Sequence, residues 1–518
     1  MYLYNTLSGK KELIKKTKKP LRLFVCGPTV YDTPHIGNYR TFLAFDALVR
    51  YLRARGYAIT YLQNITDVDD KIIRRAQEKN IPWKSLARTY ERAYHRGEKQ
   101  LDIRSVSTYA RATDYIPEIV SQVQILIRKG HAYLIPEDGY YFDITTFADY
   151  GKLSHRTIEA AQDATSRIDE SVNKRNKGDF ALWKFSKTRT EANLTRNYAN
   201  VKIPYKIRVI DSEPAWLTEL GWGRPGWHIE DTAITQKHFG SQYDMHGGAG
   251  ELKFPHHEAE IAQQESASGK KPFVKLWIHT AILLIQGQKM SKSLHNFVGA
   301  DDFLKKYDAR VFRYMVLSHH YRSPIDYSES LALQSARALE SIQQFVWKMH
   351  GIQHETWDIK REAQSIKYEA QNMERGAWKI RHEAEVEKIK SIVKNIEKNF
   401  YAALDDDFNT PQAFAAIFSG ISALDPMLPY VGPSHASLIQ RQLLQLLQTV
   451  GITLTADPKI PAYIRRLCAQ RELYRGNKQF VQADALRDKI HALGYNIEDT
   501  PWGQMIAPKE FFIKNKKI

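Results

Sequence analysis

The chain has 518 residues, room for about three or four domains, and its 43% apolar and 26% charged residues exclude a wholly disordered chain. Lys plus Arg number 75 against 58 for Asp plus Glu, a net charge of +17. That balance points either to a polyanionic partner, most often nucleic acid, or to a basic cytoplasmic protein with no such partner. In chain order, residues 21–26 (LRLFVC) form an apolar run that stops at Gly27-Pro28, as a buried strand does before a turn. Thr41 to Arg55 repeats its apolar residues at helical spacing, and YAITYLQNI reads as a second strand. Strand, turn, helix, strand is the pattern of a parallel sheet. The Cys26–Asn38 loop then lies at the carboxyl end of the first strand, where open α/β sheets bind ligands.

From 126 to 222 the pattern changes to short mixed elements, among them GYYFDIT, NKRNKGD and ALWKF. We read this stretch as a domain inserted into one Rossmann-like sheet, whose halves are 1–125 and 223–300. The second half holds GWHIED, a helix on HHEAEIAQQ, and strands on FVKLWIH and AILLI. Beyond Ala300 the chain is largely helical, through 301–350 and a bundle over 351–460. Ile359, Ile366, Met373 and Ile380 recur every seven residues, as do Ala363, Ala370, Ala377 and Ala384. Such a seam is that of a coiled coil with solvated flanks, or of a basic arm that touches nucleic acid. Pro458 and Pro461 bracket a linker to a small basic unit, 461–518.

No 18-residue apolar run exists, so no membrane span is expected. The first residues lack the apolar stretch of a signal peptide. The two cysteines, Cys26 and Cys468, are far apart and too few for a disulfide scaffold, which favours a reducing compartment. The expectation is a soluble, cytoplasmic protein.

Four constellations carry chemistry. His35-Ile36-Gly37-Asn38 opens a helix after the first strand, where backbone N–H groups and a histidine can meet phosphate. Lys289-Met290-Ser291-Lys292-Ser293 follows a strand and is a phosphate clamp or a solvated basic turn. Asp244 to Gly250 (DMHGGAG) is a small-residue turn after a strand, which lets a nucleotide approach the backbone or is a turn only. Cys26, Asp231, His256 and Glu260 are all competent zinc ligands. His256 and Glu260, four apart, share a helix face, with His257 about 100° away. A buried core cysteine and a structural histidine pair are the alternatives.

Read together, CGPTVYDTPHIGNYRTF, NITDVDDKI, KRNKGDFALWKFSK, GRPGWHIE, DMHGG, FPHHEAEIAQ, KMSKSLHNF and DDDFNTPQA resemble the cysteinyl-tRNA synthetase family, class I aminoacyl-tRNA synthetases, in order and almost end to end. The resemblance implies a Rossmann-like class I catalytic core with an inserted connective domain, a stem-contact region, a helical bundle and a C-terminal anticodon-binding unit. It implies ATP with Mg and L-cysteine as substrates, cysteinyl-adenylate as intermediate, and tRNA(Cys) as partner of a monomer. His35, Gly37, Asn38, Lys289 and Lys292 would hold the triphosphate. The adenosine would lie near His246, Gly247 and Gly248. Thr66 and Trp227 would line the cysteine pocket. One zinc per chain, on Cys26, Asp231, His256 and Glu260, would read the substrate thiol. Trp502 stacks on an anticodon base or packs in a core. Residues 188–212 and 351–390 resemble insertions. The family's second zinc cysteine is Asp231 here, so the site is either retained with an extra oxygen ligand or metal-poor. The rivals are a ligase that joins cysteine to an amino sugar and a non-catalytic RNA-binding paralogue.

Overall fold

Apolar runs without polar alternation favour strands buried on both faces. In the computed structural model, after a hairpin of β1 (Tyr2–Asn5) and β2 (Lys10–Leu13), the strands β3 (Leu21–Val25), β4 (Ile59–Ile65), β12 (Tyr243–Ala249) and β13 (Val274–Thr280) are largely buried. With β5 (Thr108–Arg111) they form a parallel sheet of order β13-β12-β3-β4-β5. The structure describes residues 1–156, 173–186, 206–210, 213–290, 296–353, 375–500, 503–509 and 511–514. Lys292, Trp502 and, of the heptad positions, Ile359, Ala363, Ile366, Ala370 and Met373 lie outside them.

Helices cover the sheet: α1 (Ile36–Ala54), α2 (Asp70–Glu78), α3 (Trp83–Gln100), α4 (Ile116–Arg128), α5 (Ile229–Phe239) and α6 (His256–Ser268). The chain leaves β3 toward β4 and β5, then returns to β12 on the other side of β3. The strand order therefore reverses between β3 and β12, the place where doubly wound sheets open a ligand crevice. Between the sheet's two halves lies a second, antiparallel sheet of order β6-β7-β8-β11-β10-β9. Its strands are Ala132–Ile135, Gly139–Phe142, Phe180–Phe185, Lys206–Ile210, Glu213–Thr218 and Gly221–Pro225, β6 to β11.

The chain divides into two compact units, one of residues 1–301 with 321–326 and one of 302–320 with 327–518. The second unit is helical, with α7 (Ala309–Leu317), α8 (Glu329–Gln353), α9 (Arg375–Asp405), α10 (Thr410–Leu424) and α11 (Pro433–Thr449). Its C-terminal part packs α12 (Ala462–Gly476) and α13 (Phe480–Ala492) on the hairpin Tyr495–Thr500 and Gly503–Pro508. Ile464, Cys468, Ile490 and Ile497 share a buried cluster there, so Cys468 is a core residue. Among the described residues no helix is long and apolar enough to cross a membrane.

Candidate active site

A cavity of about 910 Å³ opens at the carboxyl ends of the parallel strands, with Cys26, Tyr31, His35, Asn38, Leu252 and Lys289 in its wall. His35 caps α1 from an extended conformation. The Asn38 Oδ1 accepts the His35 backbone N–H at 3.0 Å, half of a capping box that holds the turn in shape. A Cβ on Gly37 would lie 2.9 Å from His35 Nδ1, so glycine leaves room for the imidazole in this turn, and Met290 Sδ of the lysine loop lies at contact distance, 3.6 Å. The Ile36 N–H donates to the Val298 carbonyl at 3.0 Å, which ties the chain just after that loop to the start of α1. Lys289 is exposed and pairs with Glu251. The start of α1 and a lysine at the rim thus stand at the same cavity, and a helix N-terminus and a lysine are groups that can meet an anion.

Behind the cavity wall lies a buried cluster. Cys26 directly follows β3, Asp231 stands in the first turn of α5, and His256, His257 and Glu260 belong to the first turns of α6. The ligand atoms of Cys26, Asp231, His256 and Glu260 all lie within 4.8 Å of one another. The His256 Nε2 is 3.0 Å from both Asp231 Oδ2 and Glu260 Oε1. A second set, Cys26, His246, His257 and Glu260, meets the same limit. Cys26 Sγ is 3.3 Å from His246 Nε2, 3.2 Å from His257 Nε2 and 3.6 Å from Glu260 Oε1. His257 is held in turn by His279, Nδ1 to Nε2 at 2.8 Å, and His279 by the Thr6 hydroxyl at 2.8 Å.

Burial governs the electrostatics. It pushes the Cys26 thiol well up, and the carboxylates of Glu260 and Asp231 add to the effect. Burial likewise raises Glu260 to about 7. Burial opposes charge on His256, yet Glu260 and Asp231 outweigh it and raise the imidazole to about 9. His228, His246 and His257 are all pushed down by burial. Asp231 Oδ1 and Glu260 Oε2 are buried without a hydrogen-bond partner. Orphaned carboxylate oxygens beside a buried thiol and imidazole form a donor set that a divalent cation would fit.

The structure places the remaining expected residues less simply. DMHGG lies inside β12, not in a turn after it. His246 is therefore fully buried beside Cys26, stacked on Trp277 at 4.2 Å, and does not line the cavity. Packing explains its glycines: a Cβ on Gly247 would meet the Phe45 ring at 2.2 Å and one on Gly248 the His257 ring at 2.8 Å. Ala249, Glu251 and Leu252, one turn on, line the cavity instead. The Thr66 hydroxyl donates to the buried carboxylate of Glu230, which also accepts from Asn64 Nδ2 at 3.3 Å. Trp227 stacks on His256, centroids 4.2 Å apart and planes 7° off parallel, and so fixes that imidazole. Sequence reasoning missed Glu230, and also His246 and His257 as partners of Cys26 with His279 behind His257. The histidines sit at strand and helix positions that look like ordinary core, and their only signal is that they are polar among apolar neighbours.

The chain matches the model of the tRNA synthetases class I (C) catalytic domain over 13–200 and 205–338, and that of the DALR domain over 399–454. It is 36% identical to a cysteine-tRNA ligase of Thermococcus onnurineus over 97% of this chain and 98% of that protein. A cysteine-tRNA ligase of Symbiobacterium thermophilum is 38% identical over the same shares. The chain belongs to the cysteine-tRNA ligase family of class I aminoacyl-tRNA synthetases. It is thus a ligase, and ATP with Mg is the substrate that its family implies. The fold agrees with distant class I synthetases. A Mycobacterium tuberculosis methionyl-tRNA synthetase bound by methionyl-adenylate superposes with a TM-score of 0.55 at 14% identity, covering 83% of this chain and 92% of that one. An Agrobacterium radiobacter LeuRS gives 0.54 at 11% identity, covering 83% and 84%.

Proposed function

We propose that this ligase joins L-cysteine to tRNA(Cys), and that it selects cysteine by a zinc ion held by Cys26, Asp231, His256 and Glu260. The observation that carries this reading is the buried cluster of one sulfur, one nitrogen and two carboxylates, whose donor atoms lie within 4.8 Å of one another. Zinc accepts all three donor types, and its charge offsets the burial of Asp231 and Glu260. When bound, the ion supplies a Lewis acid that takes a thiolate far more readily than a neutral hydroxyl. Cysteine and serine differ only by sulfur and oxygen, and size alone separates them poorly. Asp231, where the family pattern has cysteine, leaves Cys26 the one protein sulfur in this donor set, which would leave a bound ion readier to take a second sulfur.

The residues of this chain divide the remaining work. A carboxylate oxygen of cysteine attacks the α-phosphorus of ATP, and the bond to the β-phosphate oxygen breaks with release of pyrophosphate. The α1 N-terminus, with His35 and Asn38, and the loop lysines Lys289 and Lys292 hold the phosphates and the charge that develops on them. Glycines 247 and 248 keep β12 close to α1 and α6, and the adenosine lies past them on Ala249 and Leu252. Trp227 orients His256, and Thr66 orients Glu230 at the base of the cysteine pocket. The ribose hydroxyl at the tRNA terminus then attacks the carbonyl carbon and AMP leaves. The inserted domain (126–222), the stem-contact region (301–350), the bundle (351–460) and the basic 461–518 unit serve tRNA. The enzyme works in the cytoplasm as a monomer.

Three measurements on the purified protein test this. Plasma emission should find about one zinc per chain. ATP–pyrophosphate exchange should depend on cysteine and reject serine. tRNA(Cys) should be charged. Zinc far below one per chain sinks the metal reading, and exchange without charging sinks the choice of acceptor. The second donor set gives a second reading, favoured by the short Cys26–His257 distance. Loss of zinc in His257→Ala but not in His256→Ala would select it.

A further inference from the structure

One wall of the cavity has no part in the chemistry above. Lys71, Arg74, Arg75 and Glu78 all line the cavity, and their spacing (i, i+3, i+4, i+7) is that of one helix face. Ile72, Ile73 and Ala76 are buried on the other side of α2 and fix that orientation. Asp69 caps the helix by accepting the Lys71 N–H at 2.8 Å. The nearby acids are engaged elsewhere. Asp70 pairs with Lys184, 3.1 Å, and with Arg224, both on the antiparallel sheet. Glu78 and Asp32 pair with Arg75, at 2.9 and 3.4 Å. Arg74 has no ion pair among the described residues and is exposed. The Lys71 ammonium is exposed and stands 5.8 Å from the centroid of the Tyr31 ring, itself 37% exposed at the same wall. Two cations without a carboxylate partner among the described residues, beside a partly exposed aromatic ring, are the elements of a nucleotide-strand site.

Sheet order separates these cations from the triphosphate clamp. Lys289 pairs with Glu251, two residues beyond the end of β12. Helix α2 follows β4, on the other side of β3. We propose that Lys71 and Arg74 bind a phosphodiester of the tRNA 3′ strand, and so position its terminal ribose for the transfer step. The proposal rests on the reading that the adenylate forms in this cavity, because only then must a second polyanion enter it. Lys71 and Arg74 are positioning residues: they act on the strand, not on the reacting atoms.

The test uses the full-length enzyme with a tRNA(Cys) transcript. Lys71→Ala, Arg74→Ala, the double variant and Arg74→Glu are compared in cysteine-dependent pyrophosphate exchange and in single-turnover transfer from the preformed adenylate. Exchange and thermal melting should stay within about twofold and about two degrees of the unaltered enzyme, since these side chains are exposed. Transfer at subsaturating tRNA should fall about tenfold in each single variant and further in Arg74→Glu. The slope of log KM for tRNA against log salt should drop by about one per cation removed. Normal charging by both Arg74→Glu and the double variant would overturn the proposal. So would a parallel fall of exchange and transfer, which would assign these cations to ATP. Absence of exchange in the unaltered enzyme would overturn the underlying reading of the cavity instead.

Discussion

At the β3 end of the cavity, Cys26, Asp231, His246, His256, His257 and Glu260 are packed out of water, whereas at the rim the Lys289 side chain is 59% exposed and pairs with a Glu251 that is itself 44% exposed. The first group is assembled before any substrate arrives. Its energetics are those of desolvated charges, each of which needs a partner. The second is an exposed ion pair for which an arriving anion would compete. On the proposed function, the same cavity pairs a rigid reader of one small side chain with a solvated cation for a large anion. Discrimination between sulfur and oxygen demands fixed donors, while charge neutralisation tolerates motion.

The largest expected effect breaks the rigid half. Cys26→Ala should lose the metal, measured as zinc per chain. It should also lower cysteine-dependent exchange by roughly 10³-fold, the several kcal/mol that a Lewis acid supplies. A variant that keeps both would remove the contrast. Lys289→Ala attacks the other half. It should lower kcat for exchange about 10²- to 10³-fold, as loss of a donor to a developing charge does, with the KM for cysteine unchanged. A raised KM for cysteine with kcat intact would mean that the two halves are not separate.

A pH series sharpens the comparison. In chelator-treated protein Glu260 is raised to about 7 from 4.5 and His256 to about 9 from 6.5. Burial holds His228, His246, His257 and His279 below 6.5, so below that pH the unfolded state binds more protons, and above it Glu260 and His256 leave the folded state with more. Stability should fall as pH rises from about 6.5 to about 9, read as a declining urea midpoint. Zinc replaces the protons, so the loaded protein should show a flatter profile. A chelated protein that gains stability over that range would contradict the buried pair. The smallest effect belongs to Glu251→Gln. It breaks an exposed pair, worth at most about 1 kcal/mol, so KM for ATP should move less than about fivefold.

Much of the site was legible in local pattern. The run LRLFVC, the Gly27-Pro28 stop and the HIGN turn describe a strand that hands the chain to a helix N-terminus, and spacing of four put His256 and Glu260 on one helix face. Glycines misled in part. In DMHGG they suggested a turn for a nucleotide, yet they lie within β12 because Phe45 and His257 leave no room for a Cβ. Nothing local could show that close approach, since Phe45 comes from a helix about two hundred positions earlier.

The sequence by itself determined the order of strands and helices, the family, and which residues carry sulfur, imidazole and carboxylate. These follow from periodicities and motifs that one segment carries alone. Tertiary structure alone decided who neighbours whom. It set His246 beside Cys26 because β12 pairs with β3 across the point where strand order reverses. It gave Cys26 two competing donor sets, engaged Thr66 with Glu230, and turned the cations of α2 toward the cavity while Asp70 was drawn off by the antiparallel sheet. Contacts between strands distant in the chain depend on sheet order and side-chain packing, and a linear pattern encodes neither.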